Sequence, residues 1–151
     1  MIKDMIKAKG SLKLALIDAN GIEKVTTVDN LVVNGGLAYI ASRMKDVTST
    51  VMTHMAMGSG NTAPSGTDTA LQTQVDSRVV LDSTTLVATV VTNDSIEYVC
   101  TFVAGASTGA LEEAGIFDAA SAGTMLSRTT FPVINKGASD TLIVTWKVVI
   151  S

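Results

Sequence analysis

The chain has 151 residues, of which 46% are hydrophobic and 4% aromatic, and its formal net charge is −3. This length predicts one domain, and the apolar content excludes a disordered chain outside termini and loops. The eleven Lys and Arg residues are scattered, so the linear sequence lacks the basic patch typical of nucleic-acid binding. The single cysteine, Cys100, excludes an intrachain disulfide and a cysteine metal cluster.

The sequence carries no targeting or membrane signal. The N-terminal stretch MIKDMIKAKG lacks the apolar central region of a secretory signal peptide. No apolar run approaches the ~18 residues that a membrane-spanning helix needs. These features predict a soluble protein made in a cytoplasm, with no membrane partner.

Residues 1–10 form an N-terminal arm in this interpretation, and a single β-domain follows over 11–151. Terminal segments are usually disordered unless something holds them, yet four apolar side chains are many for a free tail. Two interpretations stay open, a frayed start and an arm that lies on a neighbouring subunit. The candidate interface residues of the arm are Met1, Ile2, Met5 and Ile6.

The next segment predicts a β-hairpin. Residues 11–17 alternate apolar and small or polar side chains, with Leu12 and Leu14 on one face. The turn contains Asn20-Gly21, a pair that tolerates the positive φ of tight turns. Residues 22–28 then return as the second strand.

After the hairpin, the spacing of the apolar residues becomes that of an α-helix. Four apolar residues recur at spacings of three and four, namely Leu37, Ile40, Ala41 and Met44. This spacing predicts one short α-helix near residues 35–44, with its apolar stripe against the sheet. Asn34 is a candidate N-cap, and the pair Gly35-Gly36 weakens the first turn.

Residues 54–58 predict a buried strand, and the longest predicted loop follows it. This loop, SGNTAPSGTDTA over residues 59–70, contains no large apolar side chain. Long ordered loops are often functional, so the loop is a candidate contact surface. Its candidate interface residues are Gly60, Asn61, Pro64 and Asp68.

From residue 71 onwards the sequence predicts strand after strand. The predicted strands cover residues 75–81, 84–91, 95–104, 114–118, 124–131 and 140–150. Small residues at 119–123 predict a hairpin turn, and Pro132 predicts a strand end or edge because it cannot donate to a ladder. Eight or nine strands with short turns predict a mainly β fold. We expect a single-domain antiparallel β-sandwich, with a closed, barrel-like sheet as the alternative.

The sequence offers little for catalysis, and we expect a non-enzymatic protein without cofactor or metal. His54 is the only histidine and lies among strand methionines, which favours a packed side chain over a general base. Cys100 alternates with apolar residues and is typical of a core position. No nucleophile motif or phosphate loop accompanies either residue.

The adjacent Glu112 and Glu113 are a candidate carboxylate pair. Neighbouring side chains on a strand point to opposite faces, which argues against shared acid–base work. We expect one of them to face solvent. The other is expected to lie under a loop, accepting backbone N–H groups or pairing with Arg128.

Five blocks stand out in chain order between residues 30 and 151. They are NLVVNGGLAYIASRM, the loop MGSGNTAP, and the strand segments EAGIF, MLSRTTFP and LIVTW. No single block is catalytic, but their order together resembles a family of small tailed-bacteriophage virion proteins. The resemblance implies a structural protein of the head surface or the tail.

As a head decoration (cement) protein, such a chain is expected to bind across neighbouring copies of the major capsid protein, after assembly in the host bacterial cytoplasm. A cyclic homo-oligomer, with a trimer as the first expectation, would match capsid symmetry positions. The alternative is a tail fibre or baseplate component, although the sequence has no shaft or repeat. Carbohydrate binding is a third, weakly supported alternative, because the few aromatic residues fall on apolar strand faces.

Overall fold

The computed structural model describes residues 5–45 and 50–151. Within these residues the chain forms nine strands and one helix. In chain order the elements are β1 Ala8–Ile17, β2 Glu23–Val32, α1 Asn34–Lys45, β3 His54–Gly58, β4 Gln74–Val80, β5 Ser83–Val87, β6 Ser95–Phe102, β7 Gly109–Phe117, β8 Met125–Lys136 and β9 Thr141–Ile150.

All nine strands belong to one antiparallel sheet of order β4-β3-β7-β8-β2-β1-β9-β6-β5. The sheet curls into a half-barrel, which confirms the predicted mainly β fold, an antiparallel β-sandwich or barrel-like sheet with one short helix. β2 joins the two halves of the sheet, since it pairs with β1 as far as Asn30 and with β8 only at Leu31 and Val32. The two ends of the sheet, β4 and β5, are joined by the short link Leu81–Asp82.

The core lies inside the curl and is built by alternation along the strands. In β9 the side chains of Leu142, Val144, Trp146 and Val148 are buried, as their spacing predicts for one face of a strand. Trp146 lies between Leu12 of β1 and Tyr98 of β6 in register. The apolar face predicted for this last strand is therefore confirmed.

The opening hairpin is also confirmed. The carboxylate of Asp18 accepts the backbone N–H groups of Asn20 and Ile22, both at 2.9 Å. Gly21 has a φ of 79°, a conformation that glycine adopts without steric cost. These local hydrogen bonds explain why the turn could be predicted from the sequence.

The predicted hairpin around residues 119–123 exists, but its second strand runs further than expected. β8 continues through Pro132 to Lys136, so Pro132 does not end the strand. It lies on an edge, the other predicted outcome, because in this part β8 pairs only with β7 among the described residues. The β7–β8 register shifts between Leu111 and Glu113, opposite this part of β8. Proline is tolerated at such a bulge because the ladder bond that it cannot donate is already missing there.

The predicted helix is present, but its buried face differs from the prediction. Leu37, Ala41 and Met44 are exposed, and the only fully buried helical residue is Gly36. The helix approaches β8 so closely that Gly36 lies against the backbone of Leu126. Packing therefore uses the residue without a side chain, together with half-buried Tyr39 and Ile40.

The helix start also differs from the prediction by one residue. The N–H of Leu37 bonds to the carbonyl of Val33 at 3.0 Å, so Asn34 is the first helical residue and not the cap. The N–H of Asn34 is satisfied by the carbonyl of Gly66 at 2.7 Å. The long loop thus contacts the beginning of the helix.

The strand predicted over residues 84–91 is shorter than expected, because β5 ends at Val87. Asp94 folds the following residues into a turn by accepting the N–H groups of Thr89, Val90 and Val91 at 2.8–3.0 Å. A carboxylate that satisfies three N–H groups competes successfully with strand pairing.

We expect the Asp94 carboxyl to titrate well below its ordinary value of 3.8. The N–H bonds from Val91 and Val90 favour its charged form and lower its pKa. Its contribution to stability is therefore present above the unfolded value and is lost as pH falls toward the folded pKa. The carboxyl carbon shift of Asp94 over an NMR titration measures this pKa, and an ordinary value would contradict the turn geometry.

Candidate functional site

The long loop between β3 and β4 is fixed at both ends by one buried carboxylate. Glu113, on β7, is 0% exposed. Its oxygens accept the backbone N–H groups of Gly60 at 3.1 Å, Gln72 at 2.9 Å and Thr73 at 2.7 Å. The first of these donors begins the loop and the other two end it, so a single side chain closes the loop.

Arg128, on β8, holds the same carboxylate from the other side. Its Nε and Nη2 atoms lie 2.9 and 2.8 Å from Glu113 Oε2. Its Nη1 donates to Asp68 Oδ2 at 2.9 Å, and its Nη2 donates to the carbonyl of Thr62 at 3.0 Å. The guanidinium therefore joins the sheet to the middle of the loop.

Glu113, Arg128 and Asp68 form an ionic network. Its charges and its burial indicate a structural role. Arg128 is 2% exposed and would be unstable there without a carboxylate partner. Asp68 lies at the partly solvated end of the network and also accepts the N–H of Ser65 at 2.8 Å. Glu113 lies under the loop, where it accepts backbone N–H groups and also pairs with Arg128, so the structural role expected for one glutamate is confirmed. Glu112, which was expected to face solvent, is half-buried.

The structure separates the four loop residues predicted as interface candidates. Gly60 is buried and Asp68 belongs to the ionic network, so both hold the loop in place. Asn61 is exposed and Pro64 is half-buried. Asn61 and its exposed neighbours Thr62 and Ala63 therefore form part of the outward surface of the loop.

The N-terminal arm is shorter than predicted. Residues 8–10 belong to β1, and Lys7 exchanges backbone bonds of 2.6 and 2.8 Å with Ser151. Met5 and Ile6 are 67% and 70% exposed, whereas the other two candidates, Met1 and Ile2, lie outside the described residues. The end of the predicted arm, residues 7–10, therefore pairs with the last strand of the same chain, because the β1–β9 ladder continues in register to that point.

An apolar groove of about 520 Å³ opens beside the arm, between α1 and the β5–β6 end of the sheet. Its lining includes Ile6, Ile40, Met44, Val51, Thr84, Ile96, Tyr98 and Ile150. The side chains that make it apolar come from five separate parts of the chain: the arm, α1, the segment before β3, β6 and β9. No local pattern in the sequence indicates this groove.

Cys100 and His54, the two residues weighed for catalysis, have different surroundings: the first is buried and the second half-buried. Cys100 is fully buried, and burial raises the pKa of its thiol to about 12, so the nucleophilic thiolate is scarce at neutral pH. His54 shares a 2.7 Å hydrogen bond with Thr53 through Nδ1 and Oγ1. Among residues 5–45 and 50–151, no cluster of three His, Cys, Asp or Glu side chains could hold a metal ion.

Sequence reasoning missed the role of Arg78 on β4. Its guanidinium lies 3.5 Å from the ring centroid of Phe117. Its Nη1 atom also donates to the carbonyls of Ala119 and Ala122, at 2.9 and 2.7 Å. The only sequence signal for this role was a single basic residue among the valines of a predicted strand, and that signal does not indicate which residues the side chain contacts.

Comparisons add no relative: the chain matches no protein-family model, no curated protein and no solved structure. In the described part of the chain, no helix is long and apolar enough to span a membrane.

Proposed function

We propose that this protein is a non-enzymatic structural protein of a bacteriophage virion, a head decoration protein that binds across neighbouring major capsid subunits and stabilises the head. The proposal rests on the sequence blocks that resemble small virion proteins. It also rests on what those blocks do together in the fold.

The supporting observation is that four of the five blocks meet at the long loop. The loop block supplies Gly60, the EAGIF block supplies Glu113, and the MLSRTTFP block supplies Arg128, all in one network. The helix block contributes the N–H of Asn34, which bonds to the loop at Gly66. The feature that these blocks build is a loop held rigidly at the surface.

A rigid surface loop suits a protein that works by binding. Ordering a loop during association costs conformational entropy, and a loop that is already ordered avoids this loss. On a capsid, many copies bound to a repeating lattice gain from multivalency. A ligand that binds only the expanded shell also stabilises that shell, by linkage.

Binding to purified particles tests this role. The protein should cosediment saturably with tailless heads stripped of it, with a stoichiometry in the hundreds per head expected for a lattice-binding protein. Binding restricted to tails, in a few copies, would instead favour the fibre or baseplate role. Binding to neither particle would contradict the virion proposal.

A matched pair of alanine substitutions tests whether the loop is the contact surface. Ala63 is exposed on the loop, and Ala138 is exposed in the turn between β8 and β9. We expect Ala63→Glu to weaken binding to heads at least about tenfold, because it places an unpaired charge in the interface. Ala138→Glu should bind as the wild type does, and equal binding of both variants would remove the loop from the interface.

A further inference from the structure

The sheet ends in an edge strand whose outer side has no backbone partner among the described residues. β5 is the terminal strand of the sheet and pairs only with β6. Residues 83–86 are exposed and Val87 is half-buried. An edge strand presents a row of free N–H and C=O groups to solvent, which another strand can pair with.

β5 lacks two of the features that commonly prevent strand pairing. From Ser83 to Asn93 the sequence contains no charged residue and no proline, although edge strands are commonly protected by such residues. Leu86 is 58% exposed, and Val80 and Val90, which lie on either side of β5, are 62% and 85% exposed. An uncharged edge strand with exposed apolar side chains beside it is open to pairing with another strand.

We propose that β5 pairs antiparallel with β5 of a second copy, about a two-fold axis at Thr85. Thr85 is the central residue of the strand, so this register gives the greatest overlap. It places Leu86 of each copy opposite Thr84 of the other, and Ser83 opposite Val87. The result is one continuous sheet across two subunits.

The second copy fits this edge because the pairing is self-complementary. A two-fold interface uses the same patch on both subunits, and β5 carries no charge that would meet itself. Thr84 and Leu86 lie in register with Tyr98 and Ile96 of β6, on the side of the apolar groove that Thr84 lines. Leu86 of the second copy would therefore lie at the mouth of that groove and lose contact with water.

The expected contact is weak in solution. A five-residue ladder is a small interface, so we expect a dissociation constant on the order of 100 µM. This two-fold contact differs from the cyclic contact of a trimer. It also does not depend on the proposed virion role, because it rests on the edge strand alone.

A charge-swap experiment at Thr85 tests the proposal. Because Thr85 faces itself across the axis, Thr85→Lys and Thr85→Glu should each weaken self-association at least about tenfold through like-charge repulsion. An equimolar mixture of the two variants should associate again, as a mixed pair. Sedimentation equilibrium up to millimolar concentration measures the masses, and circular dichroism confirms that each variant is folded.

The matched control is Thr27→Lys, an exposed threonine on β2, which should associate as the wild type does. A wild-type mass of two or six copies, abolished by either charge and restored by mixing, supports the two-fold pairing. A monomer at millimolar concentration would overturn it. A trimer unaffected by Thr85→Lys, or a mixture that fails to associate, would overturn it as well.

Discussion

Replacing Glu113 by alanine is expected to lower the free energy of unfolding by about 3–5 kcal/mol, the range for breaking a buried ion pair. The substitution leaves Arg128 buried with only Asp68 as a charged partner. It also removes the acceptor for three backbone N–H groups that close the long loop. Urea unfolding followed by the fluorescence of Trp146, the single tryptophan, measures the change.

The neighbouring glutamate provides the control for this experiment. Glu112 is half-buried and takes no part in the ionic network, so Glu112→Ala should change stability by no more than about 0.5 kcal/mol. Amide hydrogen exchange adds a local measurement. Gly60, Gln72 and Thr73 should lose protection in Glu113→Ala, and a variant as stable as the wild type would mean that the network does not hold the loop.

The two adjacent glycines at the start of α1 should respond to alanine in opposite directions. A Cβ atom on Gly36 would overlap the backbone of Leu126, with the carbonyl carbon only 2.9 Å away. Gly36→Ala should therefore push the helix off β8 and lower the free energy of unfolding by about 1–3 kcal/mol. At Gly35 the nearest atom outside the helix is the carbonyl oxygen of Met125, at 3.8 Å.

Gly35→Ala should consequently raise stability by about 0.5–1 kcal/mol, because alanine restricts the unfolded chain more than glycine does. The two variants add the same methyl group at adjacent positions. Thermal unfolding of both therefore separates close packing from helix propensity. Equal shifts in the two melting temperatures would show that the approach of α1 to β8 does not limit the side chain at residue 36.

Much of the ionic network could be predicted from the sequence, although not its extent. Alternation along a strand places Glu112 and Glu113 on opposite faces, and a buried carboxylate requires donors, so a loop and Arg128 were expected partners. Asp68 and Gly60 were instead predicted as interface residues. Asp68 is 60 residues from Arg128 in the chain, and no local pattern records a contact across that separation.

The sequence by itself determined the features that depend on neighbouring residues: the strand alternation of β1 and β9, the turn at Gly21, and the existence of one short helix. The periodicity of apolar residues and the chemistry of turns act over a few residues, so both can be recognised in the sequence without knowledge of the fold. Only the tertiary structure decided which face of α1 is buried, how the long loop is fixed and which strand is left at the edge. These outcomes depend on how distant strands come together in the sheet, which places β8 against Gly36 and leaves β5 paired on one side only, with β6.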